Sequence, residues 1–575
     1  MRRAPLVALT LLLCAASARG AFPAPARSQS AMAATASPYA TEAALAVLDD
    51  GGNAVDAAVA AALVISVVNP FDAGIGGGGF AVVHLAGRNG KAPLTRALDF
   101  RERAPAAATR GMYLGPDGSV VAGLSLDGHM SVAVPGTVAG LAELHKNHGR
   151  MPWRLVVKPA IDLARNGFAV GDEWVGSFAW RKDVLTRFAA TRAAFMKRDA
   201  AGLEVPYQKG EVLKQRELAR TLQDIARNPR SFYEGRVASA IVEEMKAGGG
   251  LVSAADLRGY LPVWRDPLCA PWRDLELCTM PPPSSGGVAL FEILRLLDGV
   301  DLRGLGWHHP DAIHRLIESM RVAYADRAEH LGDPAFTVVP VAELTSSGYA
   351  AQRRAGIDER RATKSSEVKA ATAAQLAALK AESPDTSHLS VVDGERNAVS
   401  LTFTVNYGFG SGVVVPGTGV LLNDEMDDFA AAPGVPNAFG LVGGDANSVQ
   451  PGKVPLSSMT PLIATKGGKL FLTAGSPGGS TIITTVLQTL LHVVDYDMDC
   501  QAAVAAPRLH HQWLPESTRL EALGFDTATK GALELRGHSF TVTPGWGNAM
   551  CIRALDDGTL EGGADPRGEG VARGQ

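Results

Sequence analysis

The stretch AESPDTSHLSVVD, residues 381–393, decides how the rest of the chain is read. After Pro384 the residues alternate, Ser387, Leu389 and Val391 against His388, Ser390 and Val392, and this period of two predicts a half-buried strand. Thr386 stands at its mouth, with Asp385 before it. A threonine hydroxyl is a weak nucleophile until a base takes its proton, and an internal threonine has no α-amine to serve. Breaking the Asp385–Thr386 bond supplies one, an amine of pKa about 7.7–8.0 tethered beside its own hydroxyl. The break needs no separate protease, because the hydroxyl can attack the preceding carbonyl to give an ester that water hydrolyses. Thr386 therefore reads either as a latent chain terminus or as an ordinary strand-start residue, and the stretch alone leaves both open.

The chain has 575 residues, room for two to four domains' worth of core, with 46% hydrophobic and 20% charged residues. Glycine is in excess, 63 residues or about 11% against a usual ~7%, which signals tight turns and close backbone approaches. A net charge of −4, with no Lys/Arg cluster interleaved with aromatics, gives no support for nucleic-acid binding. Residues 1–28 read as an export leader: Arg2 and Arg3, an apolar run too short to span a bilayer, then small residues, with cleavage after Ala18 or Ala21 both compatible. The expected location is therefore periplasmic or secreted. Cys269 and Cys278 flank APWRDLEL, which reads as a short hairpin and leaves a disulfide open; Cys500 and Cys551 show no ligand spacing.

Asn53 reads as an N-cap completed by Asp56 for an apolar helix over 54–68, buried between layers. GIGGGGF (74–80) follows a helix and precedes a strand, the reverse of a nucleotide-binding order, so it reads as tight backbone packing. Residues 130–250 are mostly helical, a hairpin occupies 262–280, and 354–383 reads as an exposed polar connector leading into Thr386. Beyond it short strands alternate with Gly/Asn/Pro loops, and a helix covers 481–493. The order implies an α/β fold of sheets layered between helices.

Other nucleophile and metal patterns carry less. Ser366 and Lys369 match S-x-x-K without companion motifs, and Ser284 and Ser285 read as helix caps. His308–His309 and His510–His511 point their rings apart, so no metal is expected. His388 shares a strand face with Thr386 and reads as a structural imidazole more readily than as a base. Around Thr386 several features converge. Thr404 and Asn406 lie near a neighbouring strand, and Gly478 and Gly479 in GSPGGS offer unhindered backbone N–H groups to an oxyanion. Glu425 and Asp428 suit an ammonium, Ser457 and Ser458 supply hydroxyls, and Arg101 offers a fork to a carboxylate.

These residues resemble the γ-glutamyltranspeptidases, also called glutathione hydrolases, a family of N-terminal nucleophile hydrolases. The resemblance runs through GGNAVDAAVA, GIGGGGF, DFRERAP, VPGTVAGL, MPPPSSGG, LGDP, DTSHLSVVD, GTGVLLNDEMDDF, PLSSMTP, GSPGGSTIITTVLQ and APRLHHQW, in order over nearly the whole chain. It implies a four-layer αββα sandwich and a precursor cut into a large subunit, 29–385, and a small catalytic subunit, 386–575, that stay together as a heterodimer. It implies Thr386 as processing residue and nucleophile, Thr404 assisting, and Gly478 and Gly479 as oxyanion hole. Arg101, Ser457 and Ser458 match the clamp on the donor α-carboxylate; Asn406, Glu425 and Asp428 match the contacts to its α-amine. The implied reaction is γ-glutamyl transfer from glutathione to water or an amino acid or peptide acceptor, with no cofactor. Ser387 replaces a frequent threonine, and Phe439 stands where some bacterial relatives carry a lid tyrosine. A β-lactam side-chain acylase, a poly-γ-glutamate hydrolase and a non-catalytic γ-glutamyl-peptide binder are the rival readings.

Overall fold

The computed structural model describes residues 23–87, 90, 92–368, 386–432 and 434–575. Asp385 and Lys369 thus lie outside the described residues. The helix Ala54–Val68 starts as its sequence predicts: Asn53 accepts from the Val55 and Asp56 amides, and Asp56 accepts from the Asn53 amide. Asp56 also accepts from the Arg150 and Met151 amides, so one carboxylate fixes both the helix start and the turn after Thr137–His148. Asp393, at the far end of the opening stretch, accepts from the Ala54 amide at 3.0 Å, close to the positive end of the helix dipole. Every residue of this helix is buried.

Two seven-stranded sheets form the inner layers. The first runs Val571–Gly574, Met32–Thr35, Ser387–Val392, Ala398–Thr404, Gly78–Leu85, Leu94–Asp99 and Val263–Arg265, antiparallel throughout. The second runs Ala26–Ser28, Leu560–Ala564, Met550–Ala554, Lys469–Gly475, Leu462–Lys466, Leu275–Thr279 and Leu268–Trp272, also antiparallel. Alternation assigns the faces. Ala81, Val83, Leu389, Val391, Leu401 and Phe403 pack outward against the helices Pro38–Asp49, Ala54–Val68, Thr137–His148 and Trp153–Asn166. Met32, Ala34, Phe80 and Val82 point inward and share a core with Ile463, Met550 and Ile552. The helices Gly286–Leu296, Pro310–His330, Thr481–Val494 and Cys500–Ala505 cover the second sheet, completing four layers.

The inner face also holds a polar lane. His388 Nδ1 lies 2.8 Å from Thr402 Oγ1 and its Nε2 lies 3.1 Å from Ser390 Oγ. Ser390 Oγ reaches Thr473 Oγ1 at 3.2 Å, and Ser400 Oγ donates to the Ala474 carbonyl of the facing sheet. Burial pushes the His388 imidazole down to about 3, so it is neutral and braces Thr402 and Ser390 within its own sheet, while Ser390 and Ser400 reach the facing one. The glycine run is explained by approach distance: a Cβ on Gly77 would lie 1.8 Å from the Thr404 carbonyl, and one on Gly76 2.0 Å from that of Leu421.

Three boundaries shift. The hairpin expected over 262–280 is Leu268–Trp272 with Leu275–Thr279, and Cys269 pairs directly with Cys278 as a disulfide. Val263–Arg265 joins the other sheet instead. The connector expected to be exposed from 354 is anchored through Val368: Ser365 is buried, its amide donates to Glu516, and Trp513 Nε1 donates to its carbonyl. Ala26–Ser28, placed within the leader by its sequence, is a sheet strand paired with Leu560–Ala564. Among the described residues no helix is long and apolar enough to cross a membrane.

Asp56→Ala is expected to cost about 2–4 kcal/mol of unfolding free energy, since it strips buried amides of their acceptor. A shifted urea midpoint in the purified protein measures this, and Asp56→Asn, which keeps one oxygen, should lose about half as much.

Candidate active site

The register that sets Ser387 opposite Phe403 brings Thr386 beside Thr404 one step further along, and their Oγ1 atoms lie 3.4 Å apart. Thr404 Oγ1 also accepts from the Asn406 amide at 2.7 Å. Asn406 adopts φ 80°, a left-handed conformation that asparagine tolerates better than most residues, and this turns the chain out of the strand. Its side-chain amide donates to the Asp424 carbonyl. Thr386 is only 5% exposed and lines a narrow cavity of about 20 Å³.

The opposite wall is charged. Asp99 ends the strand Leu94–Asp99, is gripped by Arg265, and accepts from the Arg101 amide, which fixes the direction of the chain there. Arg101 is 1% exposed and ion-paired with both Glu425 and Asp428; Glu102 lies 3.8 Å away. Glu425 and Asp428 bracket one turn of 3₁₀ helix, where residues three apart share a face. Burial works against the Arg101 charge, but the surrounding carboxylates outweigh it and hold the guanidinium above its ordinary range. Burial pushes the Glu425 and Asp428 carboxyls up, against the pull of Arg101, and raises Glu102 to about 7.

The third wall is a pair of interlocked loops. The Ser457 amide donates to the Pro283 carbonyl, the Ser285 amide donates to the Ser457 carbonyl, and Ser284 Oγ donates to that of Met459. Ser285 is the N-cap of the helix Gly286–Leu296 and Ser284 Oγ accepts from the Gly286 amide, as the sequence predicts, and the pair also holds the Ser457 loop on the cavity wall. Gly479 also lines the cavity, at φ 53°, between the strand Lys469–Gly475 and the helix Thr481–Val494; Gly478, at φ 134°, lies just behind it. A Cβ on Gly479 would fall 2.4 Å from Phe439 Cδ1, so the Phe439 ring sits directly on this glycine. Asp427 accepts from the Ala438 amide and from Ser125, and Asn437 donates to Asp428, which pins the segment carrying Phe439 to the acidic turn.

All ten residues singled out in the sequence lie in this region, nine of them on the cavity wall. Leu441, Met459 and Ile482 complete the wall and were missed, because apolar loop residues carry no chemical signature. Gln512 was missed too: its Oε1 accepts from Ser480 Oγ, and its Nε2 lies 3.3 Å from the Gly440 carbonyl. Elsewhere His314, Glu318 and His538 bring buried donor atoms within 4.8 Å of one another. His314 Nδ1 and His538 Nε2 are hydrogen-bonded at 2.7 Å and Arg321 faces Glu318 at 3.4 Å, while His538 Nδ1 is buried without a hydrogen-bond partner among the described residues.

The family profile described as Gamma-glutamyltranspeptidase matches residues 40–575. A glutathione hydrolase proenzyme of Escherichia coli is 43% identical over 545 residues, 94% of this chain and 91% of the relative. A cephalosporin acylase from Bacillus halodurans superposes with a TM-score of 0.80 at 28% identity, covering 96% of each chain. A Helicobacter pylori gamma-glutamyltranspeptidase chain is 39% identical with a TM-score of 0.55, covering 58% of this chain and 93% of its own.

Burial raises the Asp427 carboxyl from an ordinary 3.8 to about 6. Its contribution to stability is complete below pH 3.8 and is lost as pH rises through about 6. Melting temperatures measured against pH should show Asp427→Asn gaining about 2–3 kcal/mol relative to wild type between pH 4 and 7.

Proposed function

The chain belongs to the gamma-glutamyltranspeptidase family, and from that premise we propose that it moves the γ-glutamyl group of glutathione and related amides to water or to an amino acid or peptide. The observation that carries this reading is the placement of Thr386 across one small cavity from Arg101, Glu425 and Asp428. A nucleophile stands at one end and a zwitterion-sized set of charges at the other.

The precursor cuts itself first. Thr386 Oγ1 attacks the Asp385 carbonyl, the C–N bond breaks so that the amide becomes an ester and the Thr386 amine is freed, and water then hydrolyses the ester, leaving the Asp385 carboxylate and restoring the Thr386 hydroxyl. That amine is then the base: it takes the hydroxyl proton as Oγ1 attacks the γ-carbonyl of the donor. Thr404, held by the Asn406 amide, orients the attacking oxygen. The Gly478 and Gly479 amides receive the oxyanion, and a positive φ at both positions is what allows the backbone to turn inward there. The amine returns its proton to the leaving nitrogen. Water or an acceptor amine then repeats the attack on the threonine ester.

Donor binding exchanges charges in pairs. The α-ammonium takes over Glu425 and Asp428, with the Asn406 side chain beside them, and the α-carboxylate takes Arg101 and the Ser457 and Ser458 hydroxyls. The two products of the cut, a large fragment that keeps the strand Ala26–Ser28 and ends at 385, and 386–575, stay assembled as a heterodimer, and an upstream leader ending before Ala26 directs the protein to the periplasm or medium. A side-chain acylase reading has one support, the superposition on the cephalosporin acylase. The acidic pair held beside Arg101 favours a donor that carries an ammonium as well as a carboxylate.

Wild type should yield two fragments, the smaller beginning Thr386-Ser387-His388, and should release product from a γ-glutamyl anilide. Thr386→Ala should stay one chain by mass and lose at least about 10⁴-fold in activity. A wild-type chain that turns over substrate uncut overturns the mechanism; one that cuts but releases nothing overturns the substrate. In processed enzyme Gly479→Ala should lower kcat by about 10²–10³.

A further inference from the structure

Arg327 lies on the helix Pro310–His330 with 4% of its surface exposed. Its Nε donates to Ser285 Oγ at 2.9 Å and its Nη2 to Ser458 Oγ at 3.2 Å. Among the described residues it makes no ion pair: Asp428 is the acid that acts on it at longer range, and Asp428 is committed to Arg101. A guanidinium does not lose its proton in a protein, and a buried charge with no counter-ion costs several kcal/mol. Of the two buried arginines at this cavity, Arg101 is compensated and Arg327 is not.

The hydroxyls next to it are equally one-sided. Ser458 Oγ accepts from Arg327, and Ser457 Oγ accepts from the Met459 amide at 3.1 Å. Neither hydroxyl proton has an acceptor among the described residues, and both serines line the cavity. Ser285, the other partner of Arg327, donates through Oγ to the Ser457 carbonyl at 2.6 Å. One guanidinium therefore holds both serines in place, with their donor capacity unspent and a positive charge behind them.

We propose that Arg327 is a positioning and specificity-determining residue: it turns the Ser457–Ser458 end of the cavity into a receptor for a carboxylate, acting through Ser458 rather than by touching the donor. The inference rests on the γ-glutamyl reading above and adds to it a second source of carboxylate selectivity beyond Arg101.

The test compares three anilides: γ-glutamyl, glutaryl (no ammonium) and 4-aminobutanoyl (no carboxylate). In Arg327→Gln, KM for the two carboxylate donors should rise about 10- to 100-fold with kcat within about threefold. The kcat/KM for the 4-aminobutanoyl donor should stay within about twofold. Ser458→Ala should show the same pattern, and the double variant should lose clearly less than the product of the two single effects. An equal loss on all three donors, or none, overturns the proposal. If Arg327→Gln yields no processed enzyme, Arg327→Lys decides: unchanged KM for the carboxylate donors overturns it, and a selective rise supports it. Wild type that ignores γ-glutamyl anilide but cleaves glutaryl anilide overturns the functional reading instead, and the glutaryl to 4-aminobutanoyl ratio still tests Arg327.

Discussion

One antiparallel register, Ser387 opposite Phe403, governs the molecule. Because side chains alternate with a strict period of two, that register puts Leu389, Val391, Leu401 and Phe403 against the helices and leaves Thr386, His388, Ser390, Ser400, Thr402 and Thr404 between the sheets. A slip of one residue would bury the hydroxyls among the helices and remove Thr404 from Thr386. The neighbouring strand protects the register by close approach, since only glycine at 76–79 lets its backbone come so near to Thr402, Thr404 and Leu421. The chemistry of the site is thus a by-product of how a sandwich is laminated.

The cavity follows a second rule at Arg101, whose buried charge is held in a compensated set, in contrast to Arg327. Arg101 with Glu425 and Asp428 is already a closed circuit before a donor arrives, so a zwitterion can enter by exchange of partners without leaving a bare ion behind. The cavity as a whole is drawn from four separate segments: the end of Leu94–Asp99, the 3₁₀ turn Glu425–Asp428, the Ser457–Ser458 loop, and, behind that loop, the helix that carries Tyr324 and Arg327. Tyr324 donates to the Ser480 carbonyl one helical turn before Arg327 reaches Ser458, so the same helix braces two walls.

Much of this was legible in the sequence. The Asn53–Asp56 cap, the apolar helix after it, the glycine run as a packing device and the singular position of Thr386 each follow from local chemistry. What was not legible depends on partners far away in the chain. Val263–Arg265 looks like the first arm of a hairpin and is drawn into the opposite sheet by Ala97–Asp99. Residues 355–368 look like solvent-exposed linker, yet Ser365 is buried by Trp513 and Glu516, more than a hundred residues on. Arg327 sits in a charge-rich helix where any arginine suggests a surface ion pair. Only the three-dimensional arrangement distinguishes a compensated arginine from an uncompensated one.

The strand order has a consequence for the life history of the protein. In both sheets strands that follow Thr386 are inserted between strands that precede it, Val571–Gly574 alone lying outside at an edge: Ser387–Val392 and Ala398–Thr404 between Met32–Thr35 and Gly78–Leu85, and Lys469–Gly475 with its neighbours between Ala26–Ser28 and Leu275–Thr279. Such interleaving forms readily while the polypeptide is continuous, because loop closure is then intramolecular. Once the chain is severed at Thr386, neither piece holds a complete sheet, and reassembly after unfolding becomes a bimolecular event between two incomplete partners. Durability then rests on how slowly the native state opens rather than on an equilibrium with the unfolded one. The uncut chain works as a single-use mould, and what it casts has to last.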